Sequence, residues 1–193
     1  MLAGRPHHFA FWYDVAESTG SFCYGPFNIF LNGKLLLSAS ESNFTLNVIA
    51  SDLRRCYDSL GKLDELPPDF DPCAVFERAL HTNGYHSYSD PVFPSHWFSE
   101  TDERISALLD LFIEIEDSRR TIPPYGVELS MYSEISDTGW RFFLFSQGGN
   151  DMLLCSNDLG TTVLCHAFPE GEVKRAVEQF LTVEHLPYDV SAE

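Results

Sequence analysis

Tyr24-Gly25-Pro26-Phe27-Asn28-Ile29-Phe30-Leu31-Asn32-Gly33-Lys34 is the stretch whose reading decides the fold. Apolar and aromatic residues of high β propensity run up to Asn32-Gly33, the dipeptide that best fits a two-residue hairpin turn. Lys34 to Ala39 then predicts a returning strand. Before it, Phe9 to Val15 reads as a strand and Ser18-Thr19-Gly20-Ser21 as a turn. Phe22 to Leu31 reads as the next strand, with Gly25-Pro26 marking a bulge or an edge, because proline cannot donate to a ladder. The chain therefore opens as a β-meander.

Downstream the period changes. Leu46, Ile49, Leu53, Cys56, Tyr57 and Leu60 recur every three or four residues, the mark of a helix with one buried face over 43–60. Asp71-Pro72 predicts an N-cap followed by proline at the first helical position, with Val75, Phe76, Ala79 and Leu80 as the buried stripe. A further helix starts at Ser99 or Thr101 and ends before Ile122-Pro123-Pro124. Ile105, Leu108, Leu109, Phe112 and Ile115 are its expected buried positions. From Val127 the period falls to two. Strands over Val127–Ile135, Trp140–Ser146, Met152–Cys155 and Thr161–Phe168, joined by tight turns, predict a second antiparallel meander. A closing helix carries Val173, Ala176, Val177, Phe180 and Leu181. Strands, then helices, then strands predict an α+β fold: antiparallel sheet or sheets from N- and C-terminal meanders, with helices packed on one side. Residues 1–193 are expected to form a single domain, with 61–126 as a variable helical and loop insertion.

The chain has 193 residues and a formal net charge of −17. The charge is uneven. Residues 1–60 carry five acidic and four basic side chains, 61–120 carry thirteen and five, and 121–193 carry eleven and three. So excess acidity begins after residue 60. Such a field repels nucleic-acid backbones and anionic membranes, and it steers a basic protein toward contact. The simpler reading, a solubility device, stays open. The five cysteines are odd in number and show no C-x-x-C spacing, which argues against a disulfide framework and for reduced thiols in a cytoplasm. Met1 to Trp12 lacks the pattern of a signal peptide, and no apolar run approaches the roughly 20 residues a membrane span needs.

Little in the sequence spells catalysis. Gly148-Gly149 stands between two strands without a phosphate-loop Lys, so it reads as a hairpin turn. His81, His86 and His96 match no zinc spacing. Cys165 and His166 are adjacent on a strand, so they point to opposite faces and cannot form a nucleophile–base pair. No cofactor or metal site is expected. The mid-chain couples carboxylates to aromatics, and that mixture fits a surface that grips a basic partner. The candidate partner-binding residues are Asp64, Glu65, Asp69, Asp71, Tyr85, Tyr88, Asp90, Trp97, Asp102, Glu103, Asp110 and Glu114. A second small core formed by the same aromatics is the alternative.

Two stretches also carry a resemblance. Phe9-Ala10-Phe11-Trp12-Tyr13 with Tyr24 to Gly33, and Trp140-Arg141-Phe142-Phe143-Leu144 with Leu153-Leu154-Cys155-Ser156 and the closing helix, resemble the bacterial immunity-protein family numbered 42 of polymorphic-toxin systems. The resemblance lies in residues 7–60 and 127–182. It implies a cytoplasmic protein that binds and blocks a cognate toxin domain, and it carries over no catalytic residues. Apart from the resemblance, a monomer or weak homodimer is expected. The acidic charge adds that the toxin is basic, as nucleases are. A hydrolase using the histidines and a secretion-system adaptor or chaperone are the competing readings.

Overall fold

The computed structural model describes residues 1–37, 43–86, 101–119, 121–130 and 134–182. The first meander forms strands β1 (Leu2–Gly4), β2 (Phe9–Tyr13), β3 (Glu17–Thr19), β4 (Phe22–Gly25), β5 (Phe27–Leu31), β6 (Lys34–Leu35) and β7 (Phe44–Thr45). They split between two sheets, ordered β1-β2-β5-β6 and β3-β4-β7. The expected strand over Phe22–Leu31 is thus two strands in different sheets. Pro26, lacking an N–H, ends one ladder, and its carbonyl accepts from Asp14 N–H at 3.1 Å as the chain changes sheet. The Asn32-Gly33 turn is present. Both residues have positive φ, 49° and 80°, and Leu31 pairs with Lys34 across it. The returning strand keeps only Lys34 and Leu35; residues 38 and 39 lie outside the described set.

Helix α1 (Leu46–Cys56) follows, extended by a 3₁₀ turn at Tyr57–Gly61, and it buries Leu46, Ile49, Leu53 and Cys56 as the spacing predicts. Helix α2 (Pro72–Thr82) begins on the expected cap: the Asp71 carboxylate accepts from Cys73 N–H at 3.0 Å, with Pro72 in the first turn. Helix α3 spans Asp102–Arg119. Its expected buried face is only partly covered. Ile105 and Leu108 are half-buried, but Leu109 is exposed.

The second meander forms β8 (Val127–Glu128), a helical turn α4 (Glu134–Asp137), β9 (Arg141–Gln147), β10 (Asn150–Ser156) and β11 (Leu164–Pro169), in the order β11-β10-β9-β8. The strand expected over Val127–Ile135 is shorter than its alternation suggests. After Leu129 N–H donates to Phe142 O, the chain leaves the ladder, and Ile135 reaches the core from α4 instead. A one-turn helix satisfied a burial pattern that also fits a strand.

In β9 and β10 both faces are buried. Phe142, Leu144, Leu153 and Cys155 join the main core with Phe9, Phe11, Phe27 and Ile29 of the first meander. Phe143, Phe145, Met152 and Leu154 face the other way, onto Leu66, Phe76, Ala79 and Leu80 of the mid-chain. The Phe76 and Phe143 rings meet edge to face at 5.3 Å. The α+β class with antiparallel sheets is the observed one, and α2 supplies the cover on this second face.

Helix α5 (Glu172–Leu181) closes the main core. Val173, Ala176, Val177 and Phe180 are fully buried, and the Phe180 ring packs on Tyr13, Phe11 and Phe27. At Gly4, with φ of 100°, an added Cβ would lie 2.8 Å from the Ala176 side chain, so glycine permits this close approach. Gly171 stands at the N-cap of α5 and has no side chain to cap with. Asp151 of β10 does so instead, accepting from Gly171 N–H at 2.9 Å and Val173 N–H at 3.0 Å. Replacing Asp151 by Ala leaves these donors without their acceptor, at a cost of about 2–4 kcal/mol. In a chain of this size that lowers Tm by roughly 5–15 °C. Asp151→Asn loses less, because its amide oxygen still accepts. Thermal melts of the three proteins check both.

Candidate partner-binding surface

The segment before α2 is stitched to the edge of the second sheet. Ser146 N–H donates to Asp64 O at 2.9 Å, and Leu66 N–H to Ser146 O at 2.8 Å. The Ser146 hydroxyl donates to Glu65 Oε2 at 2.6 Å, and Gly148 N–H to Glu65 Oε1 at 2.8 Å. Those two hydrogen bonds hold the Glu65 carboxyl below its ordinary range. The Asp64 carboxylate accepts from Gly126 N–H at 2.8 Å, across 62 positions of sequence. Gln147 donates to Pro67 O at 2.8 Å. Glu65 and Asp64 are therefore clamps that fasten the mid-chain to the sheet, and Asp71 is the cap of α2. All three lie at the surface, but each already holds backbone donors.

Tyr85 has an internal partner too. Its hydroxyl donates to Glu128 Oε1 at 2.9 Å, where the Ser130 hydroxyl also donates at 2.8 Å. The Arg141 guanidinium sits 4.6 Å from the centre of the Tyr85 ring. Arg141 Nη1 donates to Ser136 O at 2.6 Å and Trp140 O at 2.9 Å. Glu128 is only 4% exposed. Burial pushes its carboxyl pKa up, while Ser130, Tyr85 and Arg141 pull the other way without cancelling it. This network escaped the sequence reading, since Glu128 and Ser130 stand in what read as a plain alternating strand.

The remaining candidates divide. Asp69, Glu103 and Asp110 are exposed, the last two on α3. Asp102 and Glu114 fall within α3, and their side chains lie outside the described set, as do Tyr88, Asp90 and Trp97 altogether. Around α3 the exposed surface includes three large apolar side chains, Leu109, Leu111 and Ile113.

Among the described residues no group of three or more His, Cys, Asp or Glu is placed to hold a metal ion. Burial pushes the Cys56 and Cys155 thiols up to about 12. His166 faces Asn32, 2.8 Å away, and stacks on Phe168 of the main core, while Cys165 packs against the second core, so the two do point apart. A depression of about 440 Å³ is lined by Lys62, Glu65, Asp151, Glu170 and Lys174 among others. Its Glu65 and Asp151 carboxylates are the clamp and the cap already described.

The family model of Immunity protein 42 matches residues 1–183. The chain belongs to that family. The matched span includes 61–126 as well as the two ends. A solved structure, CdiI from Burkholderia dolosa AUO158, is similar in fold, with a TM-score of 0.64 at 24% identity, covering 94% of this chain and 98% of that one. No curated protein matches the chain. Membership makes the chain an immunity protein, whose partner is a cognate toxin. Among the described residues no helix is long and apolar enough to cross a membrane.

The buried Glu128 has a testable consequence. Its raised pKa means that the folded chain holds the proton to higher pH than the unfolded one. Its share of stability is therefore complete below the ordinary carboxylate range and is lost as pH rises through the raised value. Glu128→Gln keeps the neutral form at every pH. Its Tm is expected to exceed the parent's near pH 7, and the gap to close toward about pH 4. Paired melts across that range check it.

Proposed function

We propose that this immunity protein acts in the cytoplasm, as a monomer or weak homodimer, by binding a basic, nuclease-type toxin through the acidic surface of its mid-chain. One observation carries the reading: eight of the seventeen net negative charges fall in 61–120, and Asp69, Glu103 and Asp110 from that stretch face solvent. Toxins that act on nucleic acid carry basic grooves for phosphate, and carboxylates presented on a fixed scaffold can occupy the same groove. The same charge works against contact with nucleic acid or anionic lipid, and against tight self-association. Residues 61–126 are the part that sets partner choice, Asp102 and Glu114 included by their place on α3. Tyr88, Asp90 and Trp97 belong to the same stretch. Asp64, Glu65, Asp71 and Tyr85 contribute by holding that surface in place.

The test uses the toxin encoded beside this chain's gene. The two proteins are expected to co-purify, and the immunity protein to protect cells that express the toxin. Absence of both would sink the reading. The triple variant Asp69→Lys, Glu103→Lys, Asp110→Lys is expected to associate about tenfold more slowly at low salt, with a flatter dependence on ionic strength and little change in dissociation. An unaltered association rate rules out this face.

A further inference from the structure

Helix α3 is unlike the other long helices of the fold. Helices α1, α2 and α5 bury their apolar stripes almost completely, whereas α3 leaves large apolar side chains in water. Leu109 is 44% exposed, Leu111 42% and Ile113 53%. Leu109 and Ile113 are four residues apart, so they stand one above the other on one side of the helix. Ile105, one turn earlier on the same line, is half-buried. The row thus runs from a seated end to a bare one. Beside it are exposed carboxylates: Glu103 in the first turn and Asp110 next to Leu109. Helices with apolar residues so far around the axis are normally covered on more than one side.

We infer that the Leu109–Ile113 row of α3 is the apolar anchor of the toxin-binding surface, seated in an apolar patch on the toxin that basic side chains surround. This rests on the toxin-binding reading above and adds the kind of contact that holds the complex. The choice of occupant follows from charge. A second copy of this chain would set carboxylates against carboxylates in a molecule of net charge −17. A basic partner turns Glu103 and Asp110 into rim contacts around a desolvated centre, the arrangement of strong interfaces. Acidic residues alone would give fast but short-lived encounters. The apolar row supplies slow dissociation, because affinity among related complexes is set mostly there.

The experiment measures binding of the adjacently encoded toxin domain to the parent chain and to Leu109→Ala/Ile113→Ala. Both substitutions are at exposed positions, and far-UV circular dichroism with a thermal melt checks the variant's fold. The double variant is expected to bind roughly ten- to hundredfold more weakly, through faster dissociation and an unchanged association rate. In the unaltered chain, amide hydrogen exchange over residues 103–113 is expected to slow when the toxin is added, which holds the test open should the variant not fold. Failure of the parent chain to bind the toxin defeats the proposed function itself. Parent binding with unaltered affinity of the variant, or with no protection of 103–113, overturns this inference alone. A parent dimer that the substitutions dissociate, with toxin affinity intact, overturns it in favour of self-association.

Discussion

The carboxylate of Asp151 ties together parts of the chain that no local interaction would join. It stands on β10, one of the two strands of the second sheet that are buried on both faces, and it caps α5, whose Phe180 packs on the first meander. Between the two capped N–H groups, Glu172 at the start of α5 does the complementary work. Its buried carboxylate contacts Arg175 at 2.8 Å, Arg5 at 3.7 Å and His8 at 3.5 Å, and the last two belong to the β1–β2 connection. Burial opposes ionisation there, but Arg175, Arg5 and His8 outweigh it and hold the carboxyl below its ordinary range. The N-terminus of α5, where backbone N–H groups and the helix dipole favour negative charge, is thus the joint between the two meanders.

From that joint the rest of the architecture follows. With α5 held, the faces of β9 and β10 that carry Phe142, Leu144, Leu153 and Cys155 close on the first meander. Their opposite faces are then left apolar and need a second cover. The mid-chain provides it with Leu66, Phe76, Ala79 and Leu80. The Asp64 and Glu65 clamps and the Tyr85–Glu128 bond fasten that cover on both sides of α2. The stretch that holds much of the acidic charge is therefore not a free appendage at its start. Its first part is built into the core, and its helix α3 then presents carboxylates and apolar side chains together.

The carboxylates of this chain do two kinds of work. Asp64, Glu65, Asp71, Glu128, Asp151 and Glu172 are bound to named donors within the fold. Asp69, Glu103 and Asp110 face water. Sequence charge counts both alike. An acidic composition therefore overstates the surface open to a partner, and the local structure says which residues remain for it.

By itself the sequence determined the elements whose signals are local. The Asn32-Gly33 turn, the Asp71-Pro72 helix start, the stripe of α5 and the turn-bounded apolar runs of β9 and β10 each depend on residues within one or two turns of one another. It also determined the charge and, through the aromatic strands at both ends, the resemblance to the family that matches. Tertiary structure decided what depends on distant partners. Gly25-Pro26 became a crossing between sheets, where Asp14 N–H donates to Pro26 O and Ala16 N–H to Tyr24 O. Ile135 entered the core from a helical turn. Leu109 remained in water, though its spacing fits a buried face as well as an exposed one. The roles of Asp64, Glu65 and Asp151 were equally hidden. A carboxylate reads the same in sequence whether it meets solvent or an N–H brought beside it from 20 or 60 residues away, and only the packed chain brings that N–H there.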